Sequence, residues 1–228
     1  MLPTEAGAVN STRKVSRATF MTKSAENSET KNAGTKRIDP RHCDLKCPDL
    51  NYADPIPALT IPIIREAMPA DFPRLLELNK AWVRFLSPLD EAALSALYEQ
   101  CAYRMVAEVK IAEVDDRSIV GFMLALCPGK AYESPNYRWF SEQLEEFLYI
   151  DRIVVDGEYQ GRGISHALYN HVVAWARGTG FKTVTCEIDS DPPNERSSAF
   201  HDKFGFVEIG TQWVAGGAKK VSLRSLKL

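Results

Sequence analysis

Two glycines in the segment Gln160-Gly161-Arg162-Gly163-Ile164-Ser165 constrain this chain more than any other feature. The segment follows an apolar run, Phe147 to Val155, and opens a helical pattern, Ile164 to Arg177. A strand that breaks into a glycine-rich turn and then a helix is an arrangement for holding phosphate. Glycine lets backbone approach an anion closely, and the first N–H groups of a helix have no intrahelical partner and point at whatever sits there. Arg162 adds a positive charge. The chain is therefore expected to bind a phosphorylated ligand.

Around that turn the pattern reads as one α/β domain over residues 58–228, preceded by a loosely attached tail over 1–57. The tail has few large apolar residues and no sustained period. Its basic start is only weakly like a transit peptide, and Met21 is an alternative internal start. His42-Cys43 and Cys47 lack a second ligand pair, so no metal site is expected. From Thr60 to Arg65 a short strand is expected. A helix follows with Phe72, Leu75, Leu76, Leu78, Ala81, Trp82 and Phe85, capped by Asp71 with Pro73 in its first turn. A second helix carries Ala93, Leu94, Leu97 and Tyr98. Tyr103 to Val114 and Ile119 to Leu126 predict a hairpin closed by Asp115 to Ser118. Pro128 to Gln143 reads as a long aromatic loop. After Phe147 to Val155 and the helix from Ile164 come a strand from Lys182 to Ile188 and a short helix from about Glu195 to Phe204. Two last strands run from Val207 to Trp213 and from Val221 to Leu226. The order predicts a mixed sheet of six to seven strands with about four helices.

Composition removes several function classes. At 228 residues, 45% hydrophobic and 25% charged, the chain is ordinary globular material. A net charge of -2 argues against a general nucleic-acid binder. No apolar run approaches the roughly 18 residues that would span a membrane. Five cysteines, an odd number, read as reduced thiols of a cytoplasmic protein.

Which phosphate is held depends on the motif. A P-loop needs Gly-Lys-Ser/Thr after its first glycine, and none follows. A dinucleotide fingerprint needs a third glycine where His166 stands, and no βαβ repeat supplies a second half-site. The segment resembles instead the Gln/Arg-x-x-Gly-x-Gly/Ala pyrophosphate signature of the GNAT acetyltransferases. A second resemblance runs from Asn194-Glu195-Arg196-Ser197 through Phe200-His201 to Phe204-Gly205-Phe206. Tyr132 to Phe140, Asp151 to Val155 and Cys186 to Phe206 resemble a subgroup of predicted acetyltransferases.

The resemblance implies splayed fourth and fifth strands with acetyl-CoA between them. Backbone at Ile153, Val154 and Val155 would meet the pantetheine arm, as an added strand would. Gln160, Gly161, Arg162, Gly163, Ile164 and Ser165 would cradle the pyrophosphate, and Asn194 would meet the cofactor beyond the fifth strand. Ser165 departs from the usual Gly or Ala but keeps its N–H. Where the family places a tyrosine as general acid, this chain has His201, whose imidazole could protonate a thiolate near neutral pH. Asp151 and Glu187 are the candidate bases, because a carboxylate in an apolar strand is costly unless paired or functional. By period two, Asp151 shares a face with Tyr149, Ile153 and Val155 while Arg152 points away. Tyr132, Tyr137, Trp139, Phe140 and Asp189 are candidates for the acceptor wall. The expected reaction is direct attack of a primary amine, small or peptidic, on the thioester. The alternative is a GNAT-fold acyl-CoA sensor without turnover. Dimers occur in the family, and the last two strands are where an exchange would take place; the sequence leaves oligomeric state open.

Overall fold

The computed structural model describes residues 61–110 and 117–228. The tail expected over 1–57, with His42, Cys43 and Cys47, the domain start at 58–60, and the hairpin residues Ile111, Val114, Asp115 and Asp116 lie outside these. The described elements are β1 (Ile63–Glu66), α1 (Phe72–Ala81), α2 (Glu91–Gln100), β2 (Tyr103–Lys110), β3 (Arg117–Leu126), α3 (Pro135–Gln143), β4 (Phe147–Val155), α4 (Ile164–Gly178), β5 (Thr183–Asp191), α5 (Glu195–Phe204), β6 (Val207–Val214) and β7 (Lys219–Lys227). They build a seven-stranded sheet in the order β1-β2-β3-β4-β5-β7-β6. The β4–β5 pair is parallel, joined by α4, and its neighbours are antiparallel. Among the described residues no helix is long and apolar enough to cross a membrane.

Local chemistry explains the helices and corrects several expectations. Pro73 lies in the first turn of α1 and Asp71 holds the N-cap position, but its side chain makes no capping hydrogen bond. The Asp71 carboxylate instead accepts from Arg65 Nη1 at 2.7 Å and from the Met68 N–H at 2.8 Å. Helix α1 ends at Ala81, short of Trp82 and Phe85, which stack in the following loop. Asp90 caps α2 by accepting from the Ala93 N–H at 2.8 Å. Arg117 and Ser118, expected in a turn, already belong to β3. The long loop expected over Pro128 to Gln143 contains α3, started by Pro135 and by the Ser134 hydroxyl on the Tyr137 N–H. An aromatic-rich stretch hid its helical period, because few of its residues are strong helix formers.

Two apolar layers cover the sheet. On one face α1, α2 and α3 bury Phe72, Leu75, Leu94, Leu97 and Phe140 against Phe122, Leu124, Phe147 and Tyr149. On the other, α4 buries Ile164, Leu168, Tyr169, Val172 and Ala176 against Met123, Leu148, Ile150 and Val184. Each fully buried side chain of this size stabilises by about 1.5–3 kcal/mol.

Strand β4 changes phase midway. Its register with β3 slips between Leu124 and Ala125, which face Arg152 and Ile150, so Asp151 is an extra residue on β4. Phe147 and Tyr149 lie in the α1–α3 layer, and so does Val154; Leu148, Ile150 and Val155 lie in the α4 layer. The bulge therefore puts Asp151 and Arg152 on the same side. The expectation that Asp151 shares a face with Ile153 and Val155, with Arg152 opposite, is corrected: Arg152 Nε donates to Asp151 Oδ2 at 2.7 Å.

The bulge also marks where the sheet opens. Parallel pairing of β4 with β5 covers Phe147 to Tyr149 against Thr183 to Thr185 and then stops. Beyond it β4 stays bonded to β3 and β5 to β7. Their facing edges carry backbone groups without a strand partner, which any occupant of the gap can engage.

Candidate active site

A cleft of about 930 Å³ runs along this opening and crosses the sheet from one layer to the other. Its two ends have different chemistry.

One end lies against the start of α4 and α5. Gly161 and Gly163 adopt left-handed backbone, with φ of 77° and 84°, and Gly163 is the N-cap of α4. A side chain at either would strain the turn. Gln160, Gly161, Gly163, Ile164 and Ser165 line the cleft together with Ile153, Val154, Val155 and Asn194. The Asn194 side chain is partly committed, since it caps α5 by accepting from the Ser197 N–H at 3.2 Å. Gln160 accepts from Arg196. Arg162 is set apart from the rest: it lies over the Tyr159 ring at 4.9 Å and is not a cleft-lining residue.

His201 is buried on this side, but its surroundings do not suit the expected acid. Its Nδ1 lies 2.7 Å from the Ser197 carbonyl oxygen, which can only accept, so the ring proton sits on Nδ1. Nε2 then accepts from the Tyr169 hydroxyl at 2.5 Å. Burial lowers the imidazole pKa to about 4, so it is neutral near pH 7 with no proton on Nε2. In this arrangement His201 lacks the Nε2 proton that a general acid would give to a thiolate. His201→Ala should lower stability by about 1–3 kcal/mol, the cost of an orphaned buried hydroxyl, and leave the shape of the pH–rate profile unchanged. Loss of a limb near pH 6 to 7 in that variant would reinstate the histidine as the acid.

The other end opens between the α1–α2 loop, the start of α3 and the β6–β7 turn. Here the two candidate bases differ sharply. Asp151 accepts from the Tyr132 hydroxyl at 2.5 Å and from Arg152 Nε at 2.7 Å; the Asp151 and Arg152 side chains are 5% and 3% exposed. Arg152 also donates to Asn79 Oδ1 at 2.8 Å and to Ser87 Oγ at 3.2 Å. This carboxylate is ion-paired and immobilised. Glu187 accepts from the Tyr149 hydroxyl at 3.0 Å, while its Oε2 is buried with no hydrogen-bond partner. Burial, reinforced by the Asp151 charge, pushes the Glu187 carboxyl up to about 8, against the opposing pull of Asn136 and Tyr149. A carboxylate with a raised pKa and no ion-pair partner, lining a cleft, is a candidate for proton transfer.

Of the expected acceptor-wall residues, Tyr132 and Asp189 line the cleft, and Asp189 is paired with Lys219 at 2.9 Å. Tyr137, Trp139 and Phe140 do not. They are packing residues of α3: Tyr137 and Phe140 are buried against Phe147 and Tyr149, and Trp139 packs where Gly210 has no side chain. Groups of His, Cys, Asp and Glu able to hold a metal are absent among the described residues.

The family model of the acetyltransferase (GNAT) family matches residues 72–206, more than half of the chain. The chain belongs to the GNAT acetyltransferase family. Solved structures share this GNAT fold at low identity. Ard1 from Thermoplasma volcanium is 18% identical with a TM-score of 0.56, covering 73% of this chain and 97% of its own. The yncA protein of Salmonella typhimurium, solved with acetyl-CoA, is 19% identical with a TM-score of 0.54, covering 74% and 95%. NAA60 of Arabidopsis thaliana, solved with a bisubstrate analogue, is 17% identical with a TM-score of 0.57, covering 73% and 98%. No curated protein matches the chain.

Several residues of this GNAT site were not anticipated. Tyr169 has a sequence signal, since it adjoins Leu168 on the buried stripe of α4. Tyr149 and Asn136 beside Glu187, and Asn79 and Ser87 beside Arg152, have none, because they meet only across elements distant in sequence.

Proposed function

We propose that this protein transfers an acetyl group from acetyl-CoA to a primary amine by direct attack of the amine on the thioester. The observation that carries this reading is the position of Glu187: a half-buried carboxylate without an ion-pair partner, one oxygen held by Tyr149, at the point where the β4–β5 gap meets the acceptor end. The opposite end suits the cofactor. Unpaired strand edges at Ile153 to Val155 would take the pantetheine amides, and the left-handed glycines with the α4 N-terminus would take the pyrophosphate.

In this reading the ionised Glu187 accepts a proton from the incoming ammonium, whose ordinary pKa is about 10.4. Tyr149 holds the carboxylate through one oxygen, and the amine meets Glu187 where it lines the cleft. Strand N–H groups of β4 would stabilise the tetrahedral oxyanion. A thiol pKa of about 8.5 lets the departing thiolate leave and pick up its proton from solvent. No side chain acts as nucleophile, so no acyl-enzyme is expected.

Thiol release from acetyl-CoA, measured over a broad amine panel, tests the activity. Tight CoA binding with no release on any amine would favour a sensor domain instead. The cofactor end has its own test. Gly163→Val forces a branched side chain into left-handed backbone and should weaken CoA binding by roughly tenfold or more, at a strain of about 1–2 kcal/mol. Gly161→Ala should be milder, since no atom lies within 4 Å of the added Cβ. Calorimetric titration with CoA reads both, and unchanged affinity in Gly163→Val would remove the turn from the binding site.

A further inference from the structure

The acceptor end of the cleft carries information about what the amine is attached to. Its wall is apolar where the loops meet it: Trp82, Val83, Phe85 and Leu86 from the α1–α2 loop, and Val214 and Ala215 from the β6–β7 turn. Its charges are already committed to one another. Arg152 is the buried partner of Asp151 and also bonds Asn79 and Ser87. Lys219 donates to Asp189 Oδ2 and to the Arg84 carbonyl, each at 2.9 Å. The remaining lining guanidinium, Arg196, is bonded to Gln160 at the cofactor end.

Two substrate chemistries are disfavoured by that arrangement. An acceptor with a carboxylate or phosphate beside its amine would bring a second charge to an end of the cleft whose lining cations, Arg152 and Lys219, are both already paired, and an unpaired charge taken out of water is costly. A diamine or polyamine would need a second carboxylate without an ion-pair partner, but Asp151 and Asp189 are ion-paired to Arg152 and Lys219, which leaves Glu187. What fits is one amine at Glu187 with an uncharged hydrophobic body against the loops. We infer that the acceptor is a primary monoamine with an apolar body and no anionic group next to its nitrogen. Such an amine has two sources, a small aralkyl- or alkylamine and the α-amine of a chain beginning with an apolar residue. The inference rests on the acetyl-transfer reading above and specifies its acceptor.

The transfer is balanced without a further reactant. The amine nitrogen forms the C–N bond, the C–S bond breaks with its electron pair on sulfur, Glu187 and then solvent take the protons lost by nitrogen, and solvent protonates sulfur.

The test is acetyl transfer by the full chain to five acceptors: 2-phenylethylamine, phenylalanine amide, phenylalanine, 1,4-diaminobutane and a phenylalanine-initiated tripeptide amide. Expected kcat/KM for 2-phenylethylamine or phenylalanine amide exceeds that for phenylalanine by roughly a hundredfold and that for the diamine by at least about tenfold, reflecting the buried unpaired charge. The ratio of 2-phenylethylamine to the tripeptide amide then separates a small-molecule source from a chain terminus. Phe85→Ala should raise KM for the better of these by about tenfold with acetyl-CoA KM unchanged, through lost apolar contact. Equal or faster transfer to phenylalanine or to the diamine would overturn the inference while leaving the acetyl-transfer reading intact. Transfer to none of the five would count against both.

Discussion

Glu187→Gln is expected to lower kcat by roughly a hundredfold or more, the ordinary contribution of a general base, while CoA affinity stays near that of the parent. The parent rate should climb about tenfold per pH unit below pH 8 and level off above it, because the working form is the ionised carboxylate and its pKa stands at about 8. In the variant that limb should vanish. Stability moves the other way. A carboxyl whose pKa is raised in the fold binds more protons folded than unfolded between its ordinary value of 4.5 and about 8, so stability falls as pH rises through that window. At about 1.4 kcal/mol for each tenfold change in proton affinity, the ionised form burdens the fold by several kcal/mol at pH 8. Glu187→Gln should therefore melt higher than the parent at pH 8.5, with the difference shrinking towards pH 5. Calorimetric melts across pH read this without any substrate. A pH-independent difference, together with an unaltered rate profile, would remove Glu187 as the base.

The second large effect belongs to Asp151. Asp151→Ala leaves Arg152, 3% exposed at its side chain, without its carboxylate, and breaking such a pair costs about 3–5 kcal/mol. The melting temperature should drop by about 10 °C for a domain of this size. Asp151→Ala combined with Arg152→Leu should recover much of the loss, because an uncharged pair no longer strands a cation. The milder Asp151→Asn discriminates roles by the sign of its pH effect. Asp151 charge helps to hold the Glu187 carboxyl high, so its removal should move the rate limb towards acid. A general base at Asp151 would instead be lost with the substitution, and activity would require higher pH.

These expectations reverse part of what the chain suggests on its own, and the reason is local. The glycine turn, the strand before it and the helix after it are written in contiguous residues with their own periodicity, so that strand–turn–helix unit was legible. Asp151 was set against the wrong neighbours because a bulge shifts side-chain phase without any marker in composition; period two fails at one residue and every later residue of the strand changes face. His201 is read correctly as an imidazole at the helix that follows the gap, but its tautomer depends on a carbonyl one turn earlier and on a hydroxyl from another helix. Tyr137, Trp139 and Phe140 looked like a binding wall because aromatic loops often are; α3 instead folds Tyr137 and Phe140 into the core and lays Trp139 against it.

The ties made by Arg152 to Asn79 and Ser87 have a consequence for how this molecule could be re-engineered or diversified. They fasten the end of α1 and the far end of the α1–α2 loop to the floor of the sheet, while between them the Arg84 carbonyl accepts from Lys219 at the start of β7. The loop is a replaceable cassette clipped onto a fixed chassis. Its contents can change the guest at the table without disturbing the hands that hold the acetyl donor.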